Sequence, residues 1–243
     1  MSKIRLTIWS EFVHERRDEI PGRIYPDGMH MQIKRGIECD DFDIRVATLD
    51  MPEHGLTDEV LESTDVMTWW GHTAHKLVDD EIAAKVVRRV KQGMGFIALH
   101  SAHYSKPFRA LMGTDCNLCW RPKNEHAHVW NINPSHPIAK GVPYSFKLDE
   151  EEMYGEIFNI PTPDELVFIT WWAGGEVFRG GCTFRRQYGK IFYFHPGHET
   201  APSYYNENVL QVIKNAVYWA KPDNAPFVFP TGKKDPEEPI GGE

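Results

Sequence analysis

No apolar run in these 243 residues approaches 18 positions, so no stretch of the sequence is expected to span a membrane. Basic residues are in deficit: 27 Lys and Arg stand against 35 Asp and Glu, a formal charge of −8, and no basic cluster falls on one face. Nucleic acid is therefore not an expected partner. The first residues, Met-Ser-Lys-Ile-Arg-Leu, run into a strand without the apolar core of a signal peptide, and a cytoplasmic location is expected. No internal repeat is present, and no nucleotide cofactor is expected. Cysteine is scarce, with Cys39, Cys116, Cys119 and Cys182. Cys116-Asn-Leu-Cys119 has the spacing of a zinc or redox pair but lacks a second pair, so ordinary cytosolic thiols are the simpler reading.

Histidine and tryptophan are plentiful, at 12 and 8 residues. Their placement follows the fold pattern. Strands are expected at 4–9, 42–48, 66–69 and 96–99, with helices at about 28–37, 58–62, 79–92 and 106–112 between and after them. Alternation with short connections indicates an α/β fold with a doubly wound, mostly parallel, flavodoxin-like sheet between helical layers. Further strands are expected at 125–132, 146–148, 166–171, 182–186 and 190–194, then a helix at 206–220. Residues 1–222 are expected to form one domain. The Pro-rich, charged 223–243 are expected to be an extended or disordered tail.

Ligands of such sheets bind at the carboxyl ends of the strands. The strand ends here carry Glu11 and His14, then Trp70 and His72, then His100 and His103, then His195 and His198. Ala98-Leu-His100-Ser-Ala102 has the small-x-X-x-small spacing of a sharp strand-to-helix turn, with His100 where hydrolases place Ser or Cys. Three readings stay open: a nucleophile turn using Ser101, a metal site, or a tight turn alone. In the acidic run 149–152, Glu152 is the expected inward carboxylate and Tyr154 its neighbouring donor. Glu11, His14, His30 and His72 suit a first-row divalent ion, Zn²⁺ first, but no compact ligand motif such as H-E-x-x-H is present. The strand-end tryptophans Trp9, Trp69, Trp70, Trp171 and Trp172 could offer aromatic faces to a sugar ring.

Eight stretches together carry a family resemblance: Ser10-Glu-Phe-Val-His-Glu15, Tyr25-Pro-Asp-Gly-Met-His30, Trp70-Gly-His72, residues 95–103, His136-Pro-Ile138, Glu151-Glu-Met-Tyr-Gly155, Trp172-Ala-Gly-Gly-Glu-Val177 and Phe194-His-Pro-Gly-His-Glu199. They run from about residue 3 to about residue 222, and the chain resembles the ThuA-like family, which has a class I glutamine amidotransferase-like fold. The resemblance implies a sheet without a working amidotransferase triad, which agrees with the absence of an elbow cysteine and with Gly197 standing where His-Pro-Glu would end. It implies a role in the use of trehalose or a related disaccharide, alongside a sugar dehydrogenase that makes 3-keto sugars. It also implies functional roles for His14, His100, Glu152 with Tyr154, and His198, joined by His126 or His128.

The resulting expectation is an enzyme acting on a disaccharide or its 3-keto derivative, of isomerase or lyase type, with His100, Glu152, Tyr154 and His198 catalytic. Trp70, His72 and His195 would contact substrate, and His14, His30, His103 and His126 would hold a divalent metal. The alternative is a non-catalytic sugar-binding subunit of the dehydrogenase. A homo-oligomer is expected from the general frequency among cytosolic enzymes.

Overall fold

The computed structural model describes residues 2–223 together with 232 and 235–237. Nine strands form a single sheet: β1 (Ile4–Ser10), β2 (Phe42–Thr48), β3 (Val66–Trp70), β4 (Gly95–Leu99), β5 (Cys119–Asn131), β6 (Ser145–Gly155), β7 (Glu165–Trp172), β8 (Val177–Arg186) and β9 (Gly189–Phe194). Their order is β2-β1-β3-β4-β9-β8-β7-β5-β6. The first five are parallel, and β8, β7, β5 and β6 extend the sheet antiparallel. Among the described residues seven α-helices complete it: α1 (His14–Arg17), α2 (Glu19–Ile24), α3 (Met29–Ile37), α4 (Asp58–Glu62), α5 (Asp80–Lys91), α6 (Lys106–Met112) and α7 (Glu207–Ala220).

Two apolar cores lie on opposite faces of the sheet. Ile33 and Ile37 of α3 and Val209, Val212, Ile213, Ala216 and Val217 of α7 pack in one, with Leu6, Ile8 and Phe194 from strands. Ile82, Val86 and Val90 of α5 pack in the other with Phe108 and Leu111 of α6, Trp69 and Phe96. The period of those α5 residues puts all three on one face. Burying each contributes roughly 1.5–3 kcal/mol. Asp79 caps α5, its Oδ1 accepting from the backbone N–H of Glu81 and Ile82 at 2.7 and 3.3 Å. Among the described residues, no helix is long and apolar enough to cross a membrane.

One register relation places the site. Ser10 pairs with Trp70, Trp70 with Leu99, and Leu99 with Phe194, so β1, β3, β4 and β9 end in one row across the sheet. The residues one step beyond are Glu11, Gly71, His100 and His195.

The sequence pattern and the structure differ most in the antiparallel half. β5 begins at Cys119 and β6 runs unbroken through the acidic stretch to Gly155, where only 125–132 and 146–148 are expected as strand. The β5–β6 register shifts between Arg121 and Asn124 and between Glu125 and Ala127. Such bulges bend and twist a ribbon, and the end of β6 reaches the tips of β4 and β9 although β6 is the far edge strand. Asp223, at the start of the expected tail, takes Lys190 Nζ at 2.6 Å; nearly all of the rest of the tail lies outside the described residues.

Candidate functional site

His100 closes β4 with φ +49°, the left-handed backbone that bulky side chains avoid. The elbow anticipated from small-residue spacing is therefore present, with an imidazole at its tip. Its Nδ1–H donates to the His195 carbonyl oxygen at 2.9 Å. This leaves Nε2 of the neutral ring bare, 3.2 Å from Tyr154 Oη and 3.2 Å from Glu152 Oε2. His100 is fully buried, and burial lowers its pKa to about 4, so the ring is neutral near pH 7. Burial also raises the Glu152 carboxyl above its usual range. Tyr154 Oη shares a 2.8 Å hydrogen bond with Ser101 Oγ.

His198 Nε2 approaches Glu152 Oε2 at 3.7 Å and Glu199 Oε2 at 3.5 Å. Its Nδ1 meets Thr200 Oγ1 at 2.8 Å, and burial lowers its pKa to about 3. Next to it stand His14 and His72, whose Nε2 and Nδ1 are 2.9 Å apart. Glu199 Oε1 lies 3.8 Å from His14 Nε2, and Glu199 Oε2 lies 3.4 Å from His72 Nδ1. Desolvation pushes the Glu199 carboxyl up to about 7.

Two carboxylates hold this ring in place. Glu11 accepts from the backbone N–H of His72, Thr73 and Ala74 at 2.7, 2.9 and 3.0 Å, which fixes the loop after β3. Fully buried Glu151 accepts from Gly197 N and His198 N at 2.7 and 3.0 Å and from Ser203 Oγ at 2.5 Å. A carboxylate of β6 thus ties down the loop after β9. Gly197, at φ +136°, allows the Tyr204 hydroxyl to come within 2.0 Å of where a Cβ would stand.

The expected catalytic residues His100, Glu152, Tyr154 and His198 come together, and of the expected metal ligands His14 joins them. Among the described residues, three sets of possible ligand atoms lie within 4.8 Å of one another: His14, His72 and Glu199; His72, Glu152 and His198; and His100, Glu151 and His195. His30, His103 and His126 fall in none of these sets, which corrects the grouping drawn from strand-end counts. His30 lies in the first turn of α3 and packs edge-on against Phe12. His103 sits in the cleft wall, with Nδ1–H donating to the Cys116 carbonyl oxygen at 2.8 Å. His126 lies against Trp171 and His128 on the antiparallel half, so neither β5 histidine joins the ring.

Trp70 and His195 also need correcting as substrate contacts. Trp70 is buried, and its indole N–H donates to the Gly197 carbonyl oxygen at 2.9 Å. His195 is sealed among Tyr154, Trp172 and Phe178, with Nε2–H donating to the Glu152 carbonyl oxygen at 3.1 Å. Both shape the site from behind. Trp9, Trp69 and Trp172 are likewise core residues. The nucleophile reading weakens too: among the described residues Ser101 Oγ bonds to the Tyr154 phenol and to no imidazole directly. All four cysteines are free thiols; Cys116 is buried, its thiol pKa raised, and neither it nor Cys119 belongs to a converging ligand set.

The ring opens into a cleft of about 560 Å³ bounded by His72, His103, Glu152, His198, Tyr104 and Trp120. Trp120 is 61% exposed and Tyr104 40%, so the aromatic faces available to a ligand come from these two residues. Trp120 and Glu199 are the residues that sequence reasoning missed.

The family model for trehalose utilisation, ThuA, matches residues 5–220. The chain belongs to the ThuA family. Membership supports a role in trehalose utilisation. Solved structures similar to this ThuA-family chain include a ThuA-like protein of Parabacteroides merdae, 13% identical at TM-score 0.66, with 90% of each chain covered. One from Bacteroides uniformis is 15% identical at TM-score 0.63, covering 90% of this chain and 91% of its own. PurLQS of Thermotoga maritima is 12% identical at TM-score 0.55, covering 89% and 99%. These likenesses show the fold, that of the class I glutamine amidotransferase-like proteins. Among curated proteins, none matches.

Proposed function

We propose that this ThuA-family protein is a cytoplasmic enzyme that moves a proton beside the carbonyl of a 3-keto disaccharide, trehalose-derived or related, isomerising it or eliminating from it. The observation that carries the reading is Glu152. Its carboxylate lies at the cleft floor, 3.2 Å from His100 Nε2 and 3.7 Å from His198 Nε2, raised in basicity by burial and flanked by imidazoles that are neutral near pH 7. A desolvated carboxylate is a stronger base than one in water. It takes the proton from the carbon next to the ketone, and the C–H electron pair passes into the enolate. Tyr154 Oη, held by Ser101 and His100, is the neighbouring hydroxyl that can donate to the enolate oxygen. Delivery of the proton to the former carbonyl carbon, while the neighbouring hydroxyl returns a proton to Tyr154 Oη and becomes the new carbonyl, gives the isomer; loss of a β-substituent with the enolate electron pair gives the elimination product.

The donors His14, His72 and Glu199 fit a divalent ion, zinc first by their chemistry. Glu199 Oε2 is buried without a hydrogen-bond partner. His14 turns Nδ1 to Asp18 Oδ2 at 2.8 Å, the carboxylate–histidine arrangement that aims the other nitrogen at a metal. Such an ion would supply polarisation of the ketone oxygen. This set leaves Glu152 free to act as base. Trp120 and Tyr104 suit the apolar face of a pyranose ring, and a sugar dehydrogenase is the class of partner that supplies the ketone. The test is to incubate the protein with 3-keto-trehalose in D₂O and follow the proton next to the carbonyl by NMR. Wild type is expected to exchange it and Glu152→Gln is not; no exchange and no product with wild type would sink the reading.

A further inference from the structure

The cleft does not end at His198. A second cavity of about 500 Å³ opens on its far side, and His198 and Pro122 line both. Both cavities are in the size range of small-molecule sites. The second differs in character: Arg23 and Glu150 face it together with Asn124 and Thr200, and Ile20 and Ile24 supply an apolar wall.

Arg23 lies at the end of α2, exposed, its side chain without a hydrogen bond or ion pair among the described residues, and the same holds for the side chain of Glu150. Most other arginines of the fold are committed; Arg5, Arg16, Arg121 and Arg179, for example, are each in ion pairs. One free guanidinium and one free carboxylate in the same cavity suit a neutral polyhydroxylated ligand, whose hydroxyls both accept and donate. An anionic ligand would meet the Glu150 charge. The apolar wall of Ile20 and Ile24 matches the C–H face of a ring.

The second cavity is also wired to the first. Asn124 Nδ2 donates to Thr200 Oγ1 at 3.1 Å, and Thr200 Oγ1 meets His198 Nδ1 at 2.8 Å. Asn124 therefore lies two hydrogen bonds from the imidazole facing Glu152, and a ligand group that engages it lies three.

We infer that the site has two sugar subsites meeting at His198: the aromatic one by Trp120 and Tyr104 takes the reacting ring, and the Arg23–Glu150 cavity takes the second ring of a disaccharide. This rests on the sugar reading above and adds which residues make the protein selective for two rings over one. Neither Arg23 nor Glu150 touches the reacting centre, so both can be replaced without disturbing the His100–Glu152 pair.

The experiment is calorimetric titration of the full chain with trehalose and, separately, with glucose. Wild type is expected to bind trehalose at least about 10-fold more tightly than glucose. Arg23→Ala and Glu150→Ala should each remove most of that difference while leaving glucose affinity within about twofold. Equal affinity for the two sugars in wild type, or an unchanged preference in both variants, overturns the second subsite and leaves the reaction untouched. If neither sugar binds, the sugar reading falls and the inference with it.

Discussion

His100 Nε2 and Glu152 Oε2 lie 3.2 Å apart at the floor of the cleft, joining the tip of β4 to the interior of β6. The imidazole gives its one proton to a backbone carbonyl on its other side. The bare nitrogen accepts from the Tyr154 hydroxyl at 3.2 Å and so asks no proton of the Glu152 carboxylate. Glu152→Gln keeps the size of the side chain and removes the base. It is expected to lower turnover of a 3-keto disaccharide by about 100-fold or more while leaving the melting temperature nearly unchanged. Full turnover in this variant would remove Glu152 from the chemistry.

His100 tests the elbow separately. At φ +49°, Asn is tolerated better than a β-branched residue. His100→Val is expected to be about 1–3 kcal/mol less stable than His100→Asn in denaturant unfolding, with both impaired in turnover. Equal stability of the two variants would mean that the left-handed backbone imposes no constraint there.

The metal assignment has its own readout. Zinc added to metal-free protein is expected to bind at one tight site, read by elemental analysis after gel filtration. His14→Ala and Glu199→Gln should lower that stoichiometry, and His126→Ala should leave it unchanged. Loss of zinc on replacing His126, with retention in the other two, would refute the assignment.

Gly197→Ala is expected to be among the most damaging single-methyl additions in the chain. The new Cβ would lie 2.0 Å from Tyr204 Oη on a backbone at φ +136°. A loss of roughly 2–4 kcal/mol in urea unfolding is expected, with the His198 loop displaced from Glu151. A wild-type melting curve would contradict the packing described.

Acid should weaken the fold through its buried neutral histidines. Burial lowers His30 to about 4 and His103 to about 3. The unfolded chain titrates these groups near pH 6.5. Between those limits the unfolded state binds more protons, so this contribution is complete above pH 6.5 and drains away as the pH falls toward 4 and then 3. His30→Leu is expected to flatten the fall of stability between pH 6.5 and 4.5 by up to ~1.4 kcal/mol per pH unit. An unchanged slope would show that His30 is protonated in the fold.

The parallel half was legible in the sequence because each strand there ends abruptly in polar residues and each helix carries a clear apolar period. His14, His72, His100 and His198 could be placed near one another for that reason. Position at a strand end does not say which way a ring turns, however, and His195 and Trp70 face inward. His30, at the first turn of a helix, carried no sign that Phe12 would cover it. Glu199 follows a histidine in a Pro-Gly loop and reads as a solvated acid; its burial comes from His14 and His72, more than 120 positions upstream. Trp120 was hidden because the bulged ribbon that brings it to the cleft leaves no periodic trace.

The hold of Glu151 on Gly197, His198 and Ser203 also bears on the order of assembly. The five parallel strands could pair and bury their helices before the β5–β6 ribbon docks, yet Glu152, Tyr154 and the settled His198 loop all depend on that docking. During refolding, recovery of helical signal should therefore precede recovery of a competent cleft, and the last contacts to form are those the chemistry needs.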